Sequence, residues 1–291
     1  MKSNATSRPL RRSAGAFAWS LALALSLPSA ALAQEHQARD YMFDFQPDGT
    51  FLLVDWYGTG GMLTLEHRAP IYRDSNDLTL GAGVVPAYPL GETFARADLR
   101  ILFLSVGVHA AYRAVWRDLT FEPGKKGEYC RACDRPARRD RDHIIEDSTG
   151  SDSFGWGEAH ATMYLPFNEY VTGVATGALR YEDRHDRSYD WFYTSVYDHG
   201  LIHRFEANLF VHHGDWGGIG PYVQLLSLPR DGGHDGQWAF GFNAVTRLGI
   251  LPRNDLLFIT FLTRPGDGKY GQHAYFSPIR ALAIYRMILP L

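Results

Sequence analysis

Glu158, His160 and Thr162 stand at alternate positions, so on an extended strand an acid, a base and a hydroxyl would share one face. Such a set could form a nucleophilic relay in which imidazole takes the hydroxyl proton and the carboxylate orients the ring. Three alternate polar residues are also what any strand with one wet face presents. No Gly-rich phosphate loop, nucleophile elbow or HExxH motif occurs in the chain. Cys130 and Cys133 are the only cysteines and form a CxxC within GEYCRACDRPARRDRD. In an exported chain this spacing is expected to close a small disulfide loop. Zinc would need more ligands, and His143, Asp134, Asp140 and Asp142 are the neighbours available; a redox pair is the remaining reading. Asp134 follows the second cysteine where haem attachment needs histidine. No metal site and no cofactor is therefore expected.

A larger set of charged and amide residues lies in phase with that trio. Glu66, Arg68, His109, Arg113, Arg117, Arg180, Glu182, Arg204, Glu206, Asn208, Asn243, Arg247, Arg280 and Arg286 all alternate with apolar neighbours. If the apolar face points outward, these residues line an interior. Enclosed charges must be paired or hydrated, because stripping water from a lone charge costs several kcal/mol. Two expectations follow: an interlocked salt-bridge network, or a narrow hydrated pore with an anion-preferring wall. Arginine serves both, since its planar fork grips carboxylate or phosphate in a bidentate manner.

The elements that carry these groups are strands. In residues 97–117, Leu102, Leu104, Val106, Val108, Ala110, Tyr112, Ala114 and Trp116 occupy every second position, opposite Phe103, Ser105, Gly107, His109, Ala111, Arg113, Val115 and Arg117. That period is a strand's, and its apolar face is long enough to cross a bilayer. Twelve strands are expected, near 41–46, 51–57, 61–68, 78–89, 97–117, 154–165, 169–182, 203–213, 219–228, 237–250, 256–263 and 278–290. If the turn around Gln46-Pro47-Asp48-Gly49 does not make a first hairpin, the count falls to ten and the N-terminal segment could act as a plug. Connections alternate in length over the second half: 118–153 and 183–202 are long, Pro166-Phe167-Asn168 is tight, 229–236 is medium and 264–277 long. The 183–202 stretch mixes Asp and His with Trp191, Phe192, Tyr193 and Tyr197; it reads as a surface loop with aromatics at a lipopolysaccharide boundary, or as a ligand or divalent-cation site. Trp116, Tyr181 and Trp238 fall on outward faces near the loop ends, where an aromatic girdle would lie.

The N-terminus supplies an address. Lys2, Arg8, Arg11 and Arg12 precede an apolar run from Ala14 to Leu27, and Ala31-Leu32-Ala33 fits a cleavage site before Gln34. The chain carries 29 Lys plus Arg against 32 Asp plus Glu, and cleavage would remove four basic residues and no acidic one. The mature protein is thus acidic, which argues against a general nucleic-acid partner. No later segment approaches the roughly 18 consecutive apolar residues of a spanning helix.

Over about residues 40–291 the chain resembles the outer-membrane β-barrels of Gram-negative bacteria. The resemblance implies an all-β, antiparallel up-and-down transmembrane barrel with short periplasmic turns, longer outer loops and both termini in the periplasm. Residues 1–33 would be a cleaved signal peptide, 34–50 a periplasmic segment or first hairpin, and 51–291 the barrel. Partners would be outer-membrane lipid, lipopolysaccharide and the barrel-assembly machinery, with the protein a monomer. Such barrels commonly end in an alternating apolar strand with a terminal aromatic. Ala283, Tyr285, Met287 and Leu289 alternate here, but the chain ends in Leu291 after Pro290. The expected function is passive passage of small solutes, anions among them. The alternatives are a non-conducting surface barrel that binds ligand through its outer loops, and a lipid or ester hydrolase built on Glu158, His160 and Thr162. A soluble two-sheet sandwich is the competing fold.

Overall fold

The computed structural model describes residues 48–57, 60–71, 76–87, 90–116, 119–123, 142–146, 152–184, 188–190, 195–212, 217–230, 233–250, 255–263 and 279–291. Strands β1 (Gly49–Tyr57), β2 (Gly60–Pro70), β3 (Asn76–Pro86), β4 (Leu90–Ile101), β5 (Leu104–Val115), β8 (Asp152–Asn168), β9 (Val171–Glu182), β12 (Gly200–His212), β13 (Gly217–Arg230), β14 (Gly233–Thr246), β15 (Asp255–Thr263) and β16 (Ile279–Pro290) form one closed barrel. Each pairs antiparallel with its neighbour in the chain, and the seam joins β1 to β16 from Phe51↔Pro290 to Trp56↔Tyr285. Four short strands come from the two long connections. They are β6 (Leu119–Pro123), β7 (Asp142–Glu146), β10 (Ser188–Asp190) and β11 (Ser195–Tyr197), joined in a separate sheet of order β11-β10-β6-β7.

The outer face is apolar along the wall. Leu63, Leu65, Leu80, Val84, Val106, Val108, Leu209, Val211, Ile219, Phe240 and Phe242 are all exposed. In water this would be one continuous hydrophobic surface far beyond what a soluble monomer shows. Trp56, Tyr112, Trp116, Tyr181 and Trp238 ring the end that carries the long connections, and Phe167 and Tyr170 mark the other. An apolar band between aromatic girdles is the exterior of a bilayer-spanning barrel. The sandwich alternative fails, because a single sheet closes on itself and turns its apolar side outward.

Among the described residues the barrel has twelve strands, although not the twelve expected. The reading of 97–117 as one strand is corrected: it breaks into β4 and β5 at a two-residue turn, Leu102-Phe103. Leu102 has φ +53°, a left-handed conformation that suits glycine, and its N–H is held by Asn76 Oδ1 at 3.0 Å. No Gly, Pro, Asn or Asp marks this turn, so the period-2 pattern runs through it unbroken. The expected strand at 41–46 and its hairpin lie outside the described residues. The medium loop at 229–236 is also corrected. Strands β13 and β14 pair up to Arg230↔Gly233, leaving only residues 231–232 as connection. Leu102→Gly should relieve backbone strain of about 1–2 kcal/mol, read as a higher urea midpoint for the folded barrel. An unchanged or lower midpoint would show that the turn is not strained.

An even strand number puts the start of β1 and the end of β16 at one mouth of the barrel. The same mouth holds the connections at 71–75, 102–103, 169–170, 213–216 and 247–254, while the opposite mouth holds 116–151, 183–199 and 264–278. These are called the terminal mouth and the loop mouth below.

Candidate functional site

The inward faces bring the charged residues together in three tiers. At the loop mouth, Glu92 of β4 accepts from Arg113 Nε at 2.7 Å and from Trp156 Nε1 at 2.9 Å. Beside it Glu182 is fully buried, accepts from Arg184 Nε at 2.6 Å and Tyr197 Oη at 2.9 Å, and pairs as an ion with Arg180 Nη2 at 2.5 Å. The Arg180 guanidinium also lies 3.7 Å over the Trp156 ring. Tyr197 belongs to β11, so this cluster ties the sheet of the long connections to the barrel wall.

The middle tier is wetter. Arg96 pairs with Glu66, and His160 Nε2 meets Asp98 Oδ1 at 2.8 Å. Arg204 donates to Glu158 at 2.8 Å and approaches Glu206 at 3.7 Å, and Gln224 donates to Glu206 at 2.8 Å. A Cβ at Gly107 would collide with the Asp98 carboxylate and with the His160 ring 2.6 Å away, so glycine there makes room for that pair. Arg286 grips Asp55 with two bonds of 2.6 and 2.8 Å next to the seam.

The terminal mouth is divided. On one side Arg68 donates to Asp77 at 2.8 Å, and Arg100 lies 5.0 Å over the Tyr164 ring. On the other, Phe51, Leu53, Phe210, Val245, Leu256 and Ile288 form a buried apolar cluster with Val174 and Phe258 packed against it. Phe51 is on β1 and Phe210 on β12, with four strands between them in the wall. Their membership of one cluster means the side chains fill that part of the lumen rather than coat its wall.

The residues expected in the interior fall as follows. Arg113, Glu158, Arg180, Glu182, Arg204, Glu206 and Arg286 are in the ion pairs above. His109 sits edge-on between Phe94 at 5.1 Å and Trp156 at 4.5 Å. Asn243 faces inward half-buried, and Arg247 lies just beyond β14. Arg117, the side chain of Arg280, and Cys130 and Cys133 lie outside the described residues. Glu158, His160 and Thr162 share the inward face but do not form a relay: Glu158 serves Arg204, His160 serves Asp98, and Thr162 meets Thr176 at 3.0 Å. Among the described residues no group of His, Cys, Asp and Glu is arranged to hold a metal.

Sequence reasoning missed the whole inward face of β4, which supplies Glu92, Arg96, Asp98 and Arg100. The signal was available, because Leu90, Glu92, Phe94, Arg96, Asp98 and Arg100 alternate in strict phase.

A closed twelve-strand barrel with an apolar, girdled exterior and a charged interior defines an outer-membrane β-barrel. No family model and no curated protein matches the sequence. Among solved structures, one titled "KdgM porin" superposes at TM-score 0.35 and 5% identity, covering 82% of this chain and 95% of that one. Another, titled "NanC porin structure in rhombohedral crystal form", gives TM-score 0.36 and 8% identity over 84% of this chain and 99% of that one. Both superpositions are loose.

Proposed function

We propose that this barrel is a porin-like passive channel for small solutes in the outer membrane of a Gram-negative cell. The supporting observation is the wet middle tier: Arg96, Asp98, His160, Arg204 and Glu206 keep 20 to 28% side-chain exposure although the barrel encloses them. Exposure inside a closed wall means room for water around charged groups, which is the lining of a polar pore. At the terminal mouth the apolar cluster narrows the route. The wall is rich in arginine, which favours anions, while the facing carboxylates temper that preference.

In this reading residues 1–33 are removed on export and the long connections face outward. Both termini lie in the periplasm, and Cys130 and Cys133 join in a small disulfide loop outside the cell. The monomer would be inserted by the barrel-assembly machinery and would contact lipid and lipopolysaccharide. The test is conductance of the refolded mature protein in a planar bilayer, where stable ohmic steps are expected. Arg204→Gln should shift the permeability ratio toward cations, because it leaves Glu158 and Glu206 without their guanidinium. Silence from a demonstrably folded barrel would sink the channel. That result would favour the second reading, a non-conducting surface barrel, which the apolar cluster at one mouth and the sheet built from the long connections at the other both support.

A further inference from the structure

One stretch of the lipid-facing wall departs from the apolar rule. Opposite the seam, Ala159 and Ala161 of β8, Gly177 and Leu179 of β9, Phe205 of β12 and Leu225 of β13 line a groove of about 480 Å³ on the outer surface. The groove lies where the small Ala159, Ala161 and Gly177 leave space between the larger Leu179, Phe205 and Leu225. Nothing lies within 4 Å of a Cβ built on Gly177, so packing does not demand glycine there. Toward the loop mouth the groove ends in polar groups that also face outward. His203 and Ser227 are register partners across β12 and β13, and both line the groove. His234, one residue beyond Gly233 where β14 begins, stacks edge-on against His203 at 5.1 Å and places Nδ1 3.4 Å from Ser227 Oγ. At headgroup level an outward imidazole is a ready hydrogen-bond donor to a polar lipid group.

We propose that this groove binds one phosphorylated membrane lipid, with an acyl chain along Ala159, Ala161 and Gly177 and the phosphate on His203, Ser227 and His234. The inference rests on the membrane placement proposed above but not on conduction. The layout is that of an amphiphile: an apolar channel running down the wall, capped at headgroup level by two imidazoles and a hydroxyl. A phosphate offers acceptors for every donor in that cap. A lipid without phosphate would leave these donors with no better partner than water.

Native mass spectrometry of the refolded full barrel from detergent tests this, with phosphatidic acid and diacylglycerol of the same chains as probes. Retention of one phosphatidic acid is expected, with diacylglycerol retained at least about tenfold less. The His203→Ala/His234→Ala variant should lose that preference, and Gly177→Leu, which fills the groove from outside the charged interior, should lose binding altogether. Heat-modifiable gel mobility reports that each variant is folded. Equal retention of the two lipids, or phosphatidic acid binding unchanged in both variants, would overturn the site. A protein that folds and stays monodisperse without any amphiphile would overturn the membrane placement along with it.

Discussion

Replacing Phe51 and Phe210 together by alanine should raise single-channel conductance several-fold. Both belong to the apolar cluster that fills one side of the terminal mouth, and they reach it from strands on distant parts of the wall. A dry constriction opposes ions because water inside it is poorly held, so conduction is limited by dewetting as much as by width. Removing two aromatic rings lets water enter and lowers that barrier. The cost to folding is real, about 3–5 kcal/mol for such a truncation in a packed core, so conductance must be read only from protein that migrates as folded barrel. Unchanged steps in the folded variant would mean that solute passes wholly on the Arg68 and Arg100 side. Loss of steps would mean that the cluster holds the pore open instead of narrowing it.

Glu182→Gln is expected to be the most destabilising single change in the charged interior. Glu182 has no exposed surface and faces Arg180, Arg184 and Tyr197 at 2.5 to 2.9 Å. Breaking a buried ion pair from one side typically costs about 3–5 kcal/mol, because the opposite charge stays behind in a poor solvent. Here two guanidiniums would stay behind. The effect should appear as a large fall in the urea midpoint of the barrel in micelles. It should also speed proteolysis of the connection between β9 and β12, since the Tyr197 hydroxyl would lose its carboxylate acceptor. A variant with wild-type midpoint and protease resistance would show that the arginines are satisfied from the lumen water.

The barrel architecture and the direction of most side chains were legible in the sequence, because inward and outward residues alternate and lipid enforces the alternation. At β5, Val106, Val108, Tyr112 and Trp116 face out and His109 and Arg113 face in, as the spacing requires. The Leu102-Phe103 turn was illegible because the barrel tolerates a strained leucine where isolated turns use glycine, so no punctuation interrupts the pattern. Missing that turn hid β4 and with it the partners of Arg113 and His160. The ion pairs themselves were beyond reach of the sequence for a different reason. Arg204 meets Glu158 46 residues earlier and Arg96 meets Glu66 30 residues earlier, and such pairings depend on strand stagger rather than on local spacing. Glu158, His160 and Thr162 show the converse: correct alternation put them on one face, but Thr162 meets Thr176 on the adjacent β9, while Glu158 and His160 reach partners two strands away, on β12 and β4.

The β1–β16 seam sets an order of events. Phe51 of β1 pairs with Pro290 of β16, so a chain lacking β16 cannot close this seam. Until β16 arrives, β1 presents a full edge of unpaired N–H and C=O groups, and the edge of β15 does the same. Such edges recruit other strands and invite aggregation. The unclosed chain is therefore a ribbon with two adhesive borders until β16 docks. Loss of only β16 would remove a small part of the mass yet leave a structure with no closed state, and chaperoning must last as long as export itself.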